Sequence, residues 1–401
     1  MSSKFYSARW IVPITSPVVK DGCVEVADEL IVAVHAEAPA DVQVVELGDI
    51  ALLPGLINAH THLEFSNLQA PLGEPAASFD QWIAEVVKYR RAQAEDAAVR
   101  IQDVVHAGLV ESVNSAVVAV GEITTNGELA DCYLSSNTKV ISLLEVINFS
   151  RDEIENKTAE VESYLHALKC QGLSAGISPH APYTVSWQQL TDLCRLSEQY
   201  RVPCVMHLAE TKEEGELLAR RKGVLRDMLD RLEMWEDAAI PEAVSYLDYV
   251  ELLATSWRAL IVHGNYLSSE VQQFLGTKRD QLAVCFCPRT HAWFGHDRYP
   301  LEEMLNHRVR ICLGTDSRAS NPDLSLISEI QYVAQQYSDL TSFQILKMVT
   351  SNAAFALGLE SQLGFIGPGA FSRLLSVPIQ AGESLETQLL DCLSAAELVS
   401  L

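Results

Sequence analysis

No stretch of this 401-residue chain approaches the roughly 18 consecutive apolar residues of a membrane span, so a helical span is not expected. Near the N-terminus the apolar run is only residues 10–14, too short and too weakly flanked for a secretory signal. The expected location is therefore the cytoplasm. Basic residues are scarce as well. Lys and Arg number 29 against 53 Asp and Glu, leaving a net charge of -24. A field of that sign repels nucleic acid and anionic membranes, and no basic cluster offsets it. Arg90-Arg91 and Arg220-Arg221-Lys222 are interleaved with acids and read as solvated helix faces. The nine cysteines include one C-x-C, Cys285 and Cys287, but no C-x-x-C pair. Cys204, Cys285, Cys287 and Cys312 lie inside apolar runs, which reads as small buried hydrophobes in a reducing compartment rather than disulfides or a zinc knuckle. Internal repeats and low-complexity segments are absent too.

What the chain does have is a set of histidines and acids at the ends of apolar runs: His60-Thr61-His62, His180, His207 with Glu210, His263 and Asp316. Alternate residues of a strand share a face, so His60 and His62 can point at one ion. Imidazoles and a carboxylate from separate strand ends are what a hydrolytic metal site needs.

Eight such runs follow one another: residues 52–63, 116–124, 140–147, 173–180, 202–207, 259–263, 282–287 and 309–316. Segments of helical periodicity separate them, marked by Trp82, Ile83, Val86 and Val87, then by Val99, Ile101, Val104 and Val105. The longest is expected at residues 213–235. Strand alternating with helix predicts an α/β fold with a parallel sheet, and eight units in about 260 residues predict a (β/α)8 TIM barrel. Every histidine and acid above then lands on the C-terminal rim. Residues 1–53 read as short β pieces and residues 364–401 as a strand (371–377) followed by a terminal helix (385–393). The two ends are expected to form a small β-sandwich beside a barrel spanning residues 54–363.

The metal ligands predicted from the residues are His60, His62, His207 and Asp316. Glu210, three residues after a ligand, is placed for acid–base work, and Asp316 can also accept the proton of a water. His263 either ligates or holds that water; three histidines and Asp316 already leave one open position, which favours the second role. Two-metal relatives of this architecture need a bridging lysine on the fourth strand, and residues 173–180 contain none, so one divalent ion per chain is expected. Zinc is the first choice, with iron and manganese also fitting. His180 is placed to meet substrate. Arg289 and Arg318 could hold an anionic or hydroxylated part of it, as could Arg151. Glu64, Trp82, Glu122, Glu145 and His291 are further candidates, each equally well read as a surface pair or packing residue.

These motifs resemble the amidohydrolase superfamily, in its branch of aminohydrolases acting on amino-substituted rings. Pro54-Gly55-Leu56-Ile57-Asn58-Ala59-His60-Thr61-His62 is similar to the first-strand motif. Ser178-Pro179-His180-Ala181-Pro182-Tyr183, His207-Leu208-Ala209-Glu210-Thr211, Val262-His263-Gly264 and Gly314-Thr315-Asp316 follow in the family's order. Two segments depart from it: Ala370-Phe371-Ser372-Arg373 after the tail glycine, and Arg289-Thr290-His291 after the seventh strand. The resemblance implies ligand roles for His60, His62, His207 and Asp316, a proton shuttle at Glu210 and a water-orienting role for His263. It implies hydrolytic release of ammonia from a ring such as adenosine, S-adenosylhomocysteine or 6-amino-6-deoxyfutalosine. His62-Leu63-Glu64-Phe65-Ser66-Asn67 is most similar to the aminodeoxyfutalosine deaminases of menaquinone biosynthesis. Guanine, cytosine or pterin deamination and triazine dechlorination are the alternatives, and a metal-binding scaffold without catalysis is the non-enzyme reading. The expected partner is a small molecule, with neither nucleic acid nor membrane; a homo-oligomer is left open.

Overall fold

A computed structural model describes residues 3–95, 100–125, 127–380 and 384–401. Its strands are β1 (Lys4–Ile11), β2 (Val19–Ala27), β3 (Leu30–His35), β4 (Val44–Glu46), β5 (Ile50–Pro54), β6 (Leu56–Thr61), β7 (Val117–Thr124), β8 (Lys139–Val146), β9 (Ser174–Pro179), β10 (Pro203–Leu208), β11 (Arg258–His263), β12 (Leu282–Phe286), β13 (Ile311–Leu313), β14 (Arg373–Pro378) and β15 (Glu397–Ser400). Strands β6 to β13 form one parallel sheet in sequence order, and each answers one of the eight expected apolar runs. All eight residues of β7 and all six of β10 are buried, as parallel strands covered on both faces must be.

Alternation sorts the barrel's side chains into two cores. Val205, Leu260, Val262, Ala283, Cys285 and Cys312 belong to an inner cluster that Ala353 and Ala354 of the helix Ser351–Ala356 join. Cys204, Met206, Ala259, Ile261, Leu282 and Val284 pack in the larger cluster that includes the surrounding helices. The ring closes between β6 and β13 not through a full ladder but through a bridge from Thr61 to Asp316. Asn58 completes that seam, donating to Thr315 Oγ1 at 2.8 Å and accepting from the Thr315 amide at 3.1 Å.

The two chain ends meet in a separate, mostly antiparallel sheet ordered β15-β14-β5-β1-β2-β3, with β4 paired to β1. Three details differ from the sequence reading. The run 52–63 is two strands, because β5 pairs with β1 and β14 while only β6 enters the barrel. Gly55 sits between them, where a Cβ would lie 2.2 Å from Val118 Cγ1. The helix expected at 213–235 breaks into Lys212–Arg220 and Val224–Arg231, with Arg221 (φ 53°) and Gly223 (φ 102°) left-handed at the break. The terminal helix shrinks to Leu385–Gln388 and a 3-10 turn, Asp391–Ala395, before β15. Of the helical markers, Val99 lies outside the described residues. No helix among the described residues is long and apolar enough to cross a membrane.

Candidate active site

The closing seam and the neighbouring strand ends bring the predicted ligands together. Ligand atoms of His60, His62 and His207 all lie within 4.8 Å of one another. His207 Nε2 is 3.3 Å from His60 Nε2, and Asp316 Oδ1 is 3.8 Å from Nε2 of both His60 and His62. His207 Nδ1 faces the His180 carbonyl at 3.0 Å; donating there leaves Nε2 with its lone pair.

A divalent cation fits this set. Bonds of about 2.0–2.1 Å to two imidazoles of a tetrahedron hold their nitrogens about 3.3 Å apart. Burial, reinforced by the neighbouring imidazoles, pushes His60 and His62 well below the ordinary histidine range, and pushes His207 down to about 4. Neutral rings are what a metal requires. The Nδ1 atoms of His60 and His62, on the far side of rings whose Nε2 atoms face Asp316, are buried with no hydrogen-bond partner among the described residues.

Glu210 and His263 adjoin the imidazoles, with His263 Nε2 3.5 Å from Glu210 Oε1. Burial first, then the charge of Asp316, holds the Glu210 carboxyl well above the ordinary carboxylate range. Burial likewise lifts Asp316 to about 7, against the amide of Ser317 at 2.7 Å. The backbone is strained where these residues sit: Ala209, His263 and Asp316 have φ of 55°, 70° and 56°. Left-handed conformations in residues with a Cβ cost roughly 1–3 kcal/mol each and persist only when neighbours impose them. Glu214 is one such neighbour, accepting from the amides of Ala209 (2.8 Å) and Glu210 (3.3 Å). Tyr299, whose hydroxyl donates to the His263 carbonyl at 2.9 Å, is another.

The cluster forms the floor of a cavity. Helix α1 (Phe79–Glu95) contributes Trp82, Ile83, Val86 and Arg90 to its wall, and Met228, Leu229, Leu232 and Met234 add an apolar side. Trp82 Nε1 donates to the Ala319 carbonyl at 3.0 Å, tying α1 to the segment after Asp316. His180 and Glu145 line the wall, and burial takes the His180 ring down to about 3.

Several expected substrate contacts are elsewhere. Arg289 is committed to Asp323 and to buried Glu329, both at 2.6 Å. Glu329 in turn accepts from Asn321 at 2.7 Å, and Asn321 donates to the Thr315 carbonyl; Arg289 thus props the strand end that carries Asp316. Arg318 pairs with Glu111 at 2.8 Å. Arg151 lies in an exposed 3-10 turn with its amide on Glu236. None of these three lines the cavity. Glu64 lies behind its wall, bonded to Arg90 and to Thr125. Both oxygens of Glu122 accept from the Leu63 amide, fixing the loop after His62. His291 packs on Phe286 and His296.

The sequence reading missed Arg90, which it placed on a solvated face. The signal was present: Trp82, Val86 and Arg90 recur every four residues and so share one face of α1.

Comparison with known proteins agrees with this architecture. A sequence model of the Amidohydrolase family matches residues 51–381. A Pyrococcus furiosus protein named 5-methylthioadenosine/S-adenosylhomocysteine deaminase is 28% identical over 358 residues, covering 86% of this chain and 79% of the relative. A Helicobacter pylori protein named adenosine deaminase is 25% identical, covering 70% and 67%. Among solved structures, Helicobacter pylori aminofutalosine deaminase in complex with methylthio-coformycin superposes with a TM-score of 0.84 at 22% identity, covering 99% of this chain and 97% of the other. A Xanthomonas campestris adenosine deaminase with bound zinc gives 0.75 at 24% identity, covering 97% and 88%.

Proposed function

Because this chain belongs to the amidohydrolase family, we propose that it is a metal-dependent deaminase of a 6-aminopurine nucleoside, releasing ammonia by hydrolysis. The family match and the deaminase-named relatives make it a hydrolase of C–N bonds. One observation carries the finer reading: two buried acids, Glu210 and Asp316, converge on three neutral imidazoles at the floor of an aromatic and apolar cavity. A flat heterocycle suits such walls.

His60, His62, His207 and Asp316 would hold one divalent ion, with zinc favoured by the donor set of nitrogens and a carboxylate oxygen. When bound, the ion supplies hydroxide at neutral pH by lowering the pKa of water toward ~7. Asp316 takes the water's proton at its carboxylate, and His263 orients the water. Glu210, held protonated, donates to the ring nitrogen beside the carbon that bears the amino group, which makes that carbon electrophilic. The water's oxygen then adds to that carbon, and transfer of the proton held at Asp316 to the amino group breaks the C–N bond and releases ammonia.

Adenosine, S-adenosylhomocysteine and 6-amino-6-deoxyfutalosine remain the leading substrates, and the relatives' names add 5-methylthioadenosine. The internal pairing of Arg289 and Arg318 withdraws the argument that they grip an anionic tail. Arg90 is the arginine that meets the cavity. The test is ammonia release, with the absorbance change from adenine to hypoxanthine, across these nucleosides, free guanine and cytosine, pterins and chlorinated triazines. Activity confined to free bases or to chlorotriazines rejects the nucleoside assignment.

A further inference from the structure

We propose that Glu145 and His180 together bind the vicinal hydroxyls of a ribose, so that the enzyme selects ribonucleosides over deoxyribonucleosides. This rests on the nucleoside reading above and adds a specificity-determining pair to it. Glu145 stands near the end of β8, its side chain 2% exposed, yet both carboxylate oxygens lack a hydrogen-bond partner among the described residues. Glu145 is among the residues that line the cavity. Two nitrogens approach its carboxylate beyond hydrogen-bond distance: Arg90 Nη2 lies 3.7 Å from Oε2 and His180 Nε2 lies 4.0 Å from Oε1. Arg90 is turned to Glu64, with which it makes its hydrogen bond.

The tautomer of His180 follows from its other nitrogen. Thr184 Oγ1 donates to the Ala181 carbonyl at 3.2 Å, so it accepts from His180 Nδ1 at 2.6 Å. Nε2 is then an acceptor with a free lone pair. It therefore cannot satisfy Glu145, which also only accepts. Two acceptors face one space and both want donors from the ligand. Arg90, close by, balances the carboxylate's charge, so neutral donors meet the demand. A vicinal diol offers two O–H groups about 2.8 Å apart, able to engage the carboxylate and the imidazole at once. The His180 ring is 5.2 Å from that of His207, so a sugar held here adjoins a base at the ligand cluster. Leaving a buried carboxylate unsatisfied is costly, and a hydrogen bond to a charged group is among the stronger ones.

The experiment compares adenosine with 2′-deoxyadenosine and 3′-deoxyadenosine in the metal-loaded enzyme, by kcat/KM, and inosine with 2′-deoxyinosine by calorimetric binding. Removing either hydroxyl should cost about 10- to 100-fold in both readouts. Glu145→Gln should lower kcat/KM for adenosine and bring the ribo/deoxy ratio close to one. Equal use of ribo and deoxy compounds by the unmodified enzyme overturns the proposal while leaving the deaminase reading intact. An unchanged ratio in Glu145→Gln, with metal content and thermal stability preserved, overturns the assignment to that residue. A binding preference for inosine without any ammonia release overturns the deaminase reading and leaves this one standing. Binding of neither nucleoside overturns both.

Discussion

Two acids within one buried cluster carry different protons. Burial first, then repulsion from Asp316, raises the Glu210 carboxyl well above its ordinary range. Asp316 faces imidazole nitrogens 3.8 Å away, and a cation there draws its proton off. Glu210→Gln should therefore keep the metal and the fold and lose at least ~10²-fold in turnover, measured as ammonia release beside metal content. Near-normal turnover would refute the assigned shuttle. Arg289 calls for the opposite result. Its partner Glu329 has a fully buried side chain, so Arg289→Met strands a buried carboxylate and should cost about 3–5 kcal/mol of stability. Denaturant midpoints would fall while KM stays close to the parent value; a large KM change with intact stability would restore a substrate role. The contrast shows what single residues disclose. The cluster of His60, His62, His207 and Asp316 was legible because a histidine or acid that closes an apolar run leaves a local pattern. The arginines were not, since a guanidinium's partner is chosen by the fold: Glu329 lies 40 residues from Arg289, and Glu64 lies 26 from Arg90.

Among elements, the barrel strands were readable for a physical reason. Burial on both faces forces continuous apolar runs, and the residue that ends each run lies at the rim. Helix limits were harder, because Lys222-Gly223 interrupts a periodicity that continues on both sides. The second half of that broken segment supplies Met228, Leu229 and Leu232 to the cavity. The first half begins with a device that no pattern revealed. Glu214, in the opening turn of Lys212–Arg220, clamps the amides of Ala209 and Glu210 and so shapes the strained rim. Burial lifts its carboxyl to about 8, offset in part by those two amides. The unfolded chain ionises this group near 4.5, so between about pH 4.5 and 8 the native state holds a proton that the unfolded state has lost. Stability from this group is then fully present below pH 4.5, falls by up to ~1.4 kcal/mol per pH unit across that window, and levels above it. Glu214→Gln should flatten the decline of melting temperature between pH 6.5 and 8. A decline as steep as the parent's would show that Glu214 is already ionised in the folded chain.

For the whole molecule, an ion at the proposed site and the fold would support each other. The barrel closes at Thr61 and Asp316, and the same seam sets His60 opposite the Asp316 carboxylate. An ion bound there ties β6, β10 and the end of β13 together, whereas the unfolded chain offers it no assembled site. It stabilises the native state by about 2.7 kcal/mol at a hundredfold excess over its Kd. A net charge of -24 also attracts divalent cations to the surface, so loosely held ions must be separated from the buried one. Exposed carboxylates release theirs on dialysis against moderate salt, while three buried imidazoles and a buried carboxylate should retain theirs. Protein purified without chelator and then dialysed should hold close to one equivalent. Strand β9 carries no lysine to bridge a second ion. Stripping the ion with a chelator should lower the melting temperature and abolish ammonia release, and adding back one equivalent should restore both. His60→Asn should show the lower melting temperature from the outset and no response to added metal. Two equivalents surviving dialysis, or a melting temperature indifferent to the chelator, would contradict a single ion bound at the barrel's closing seam.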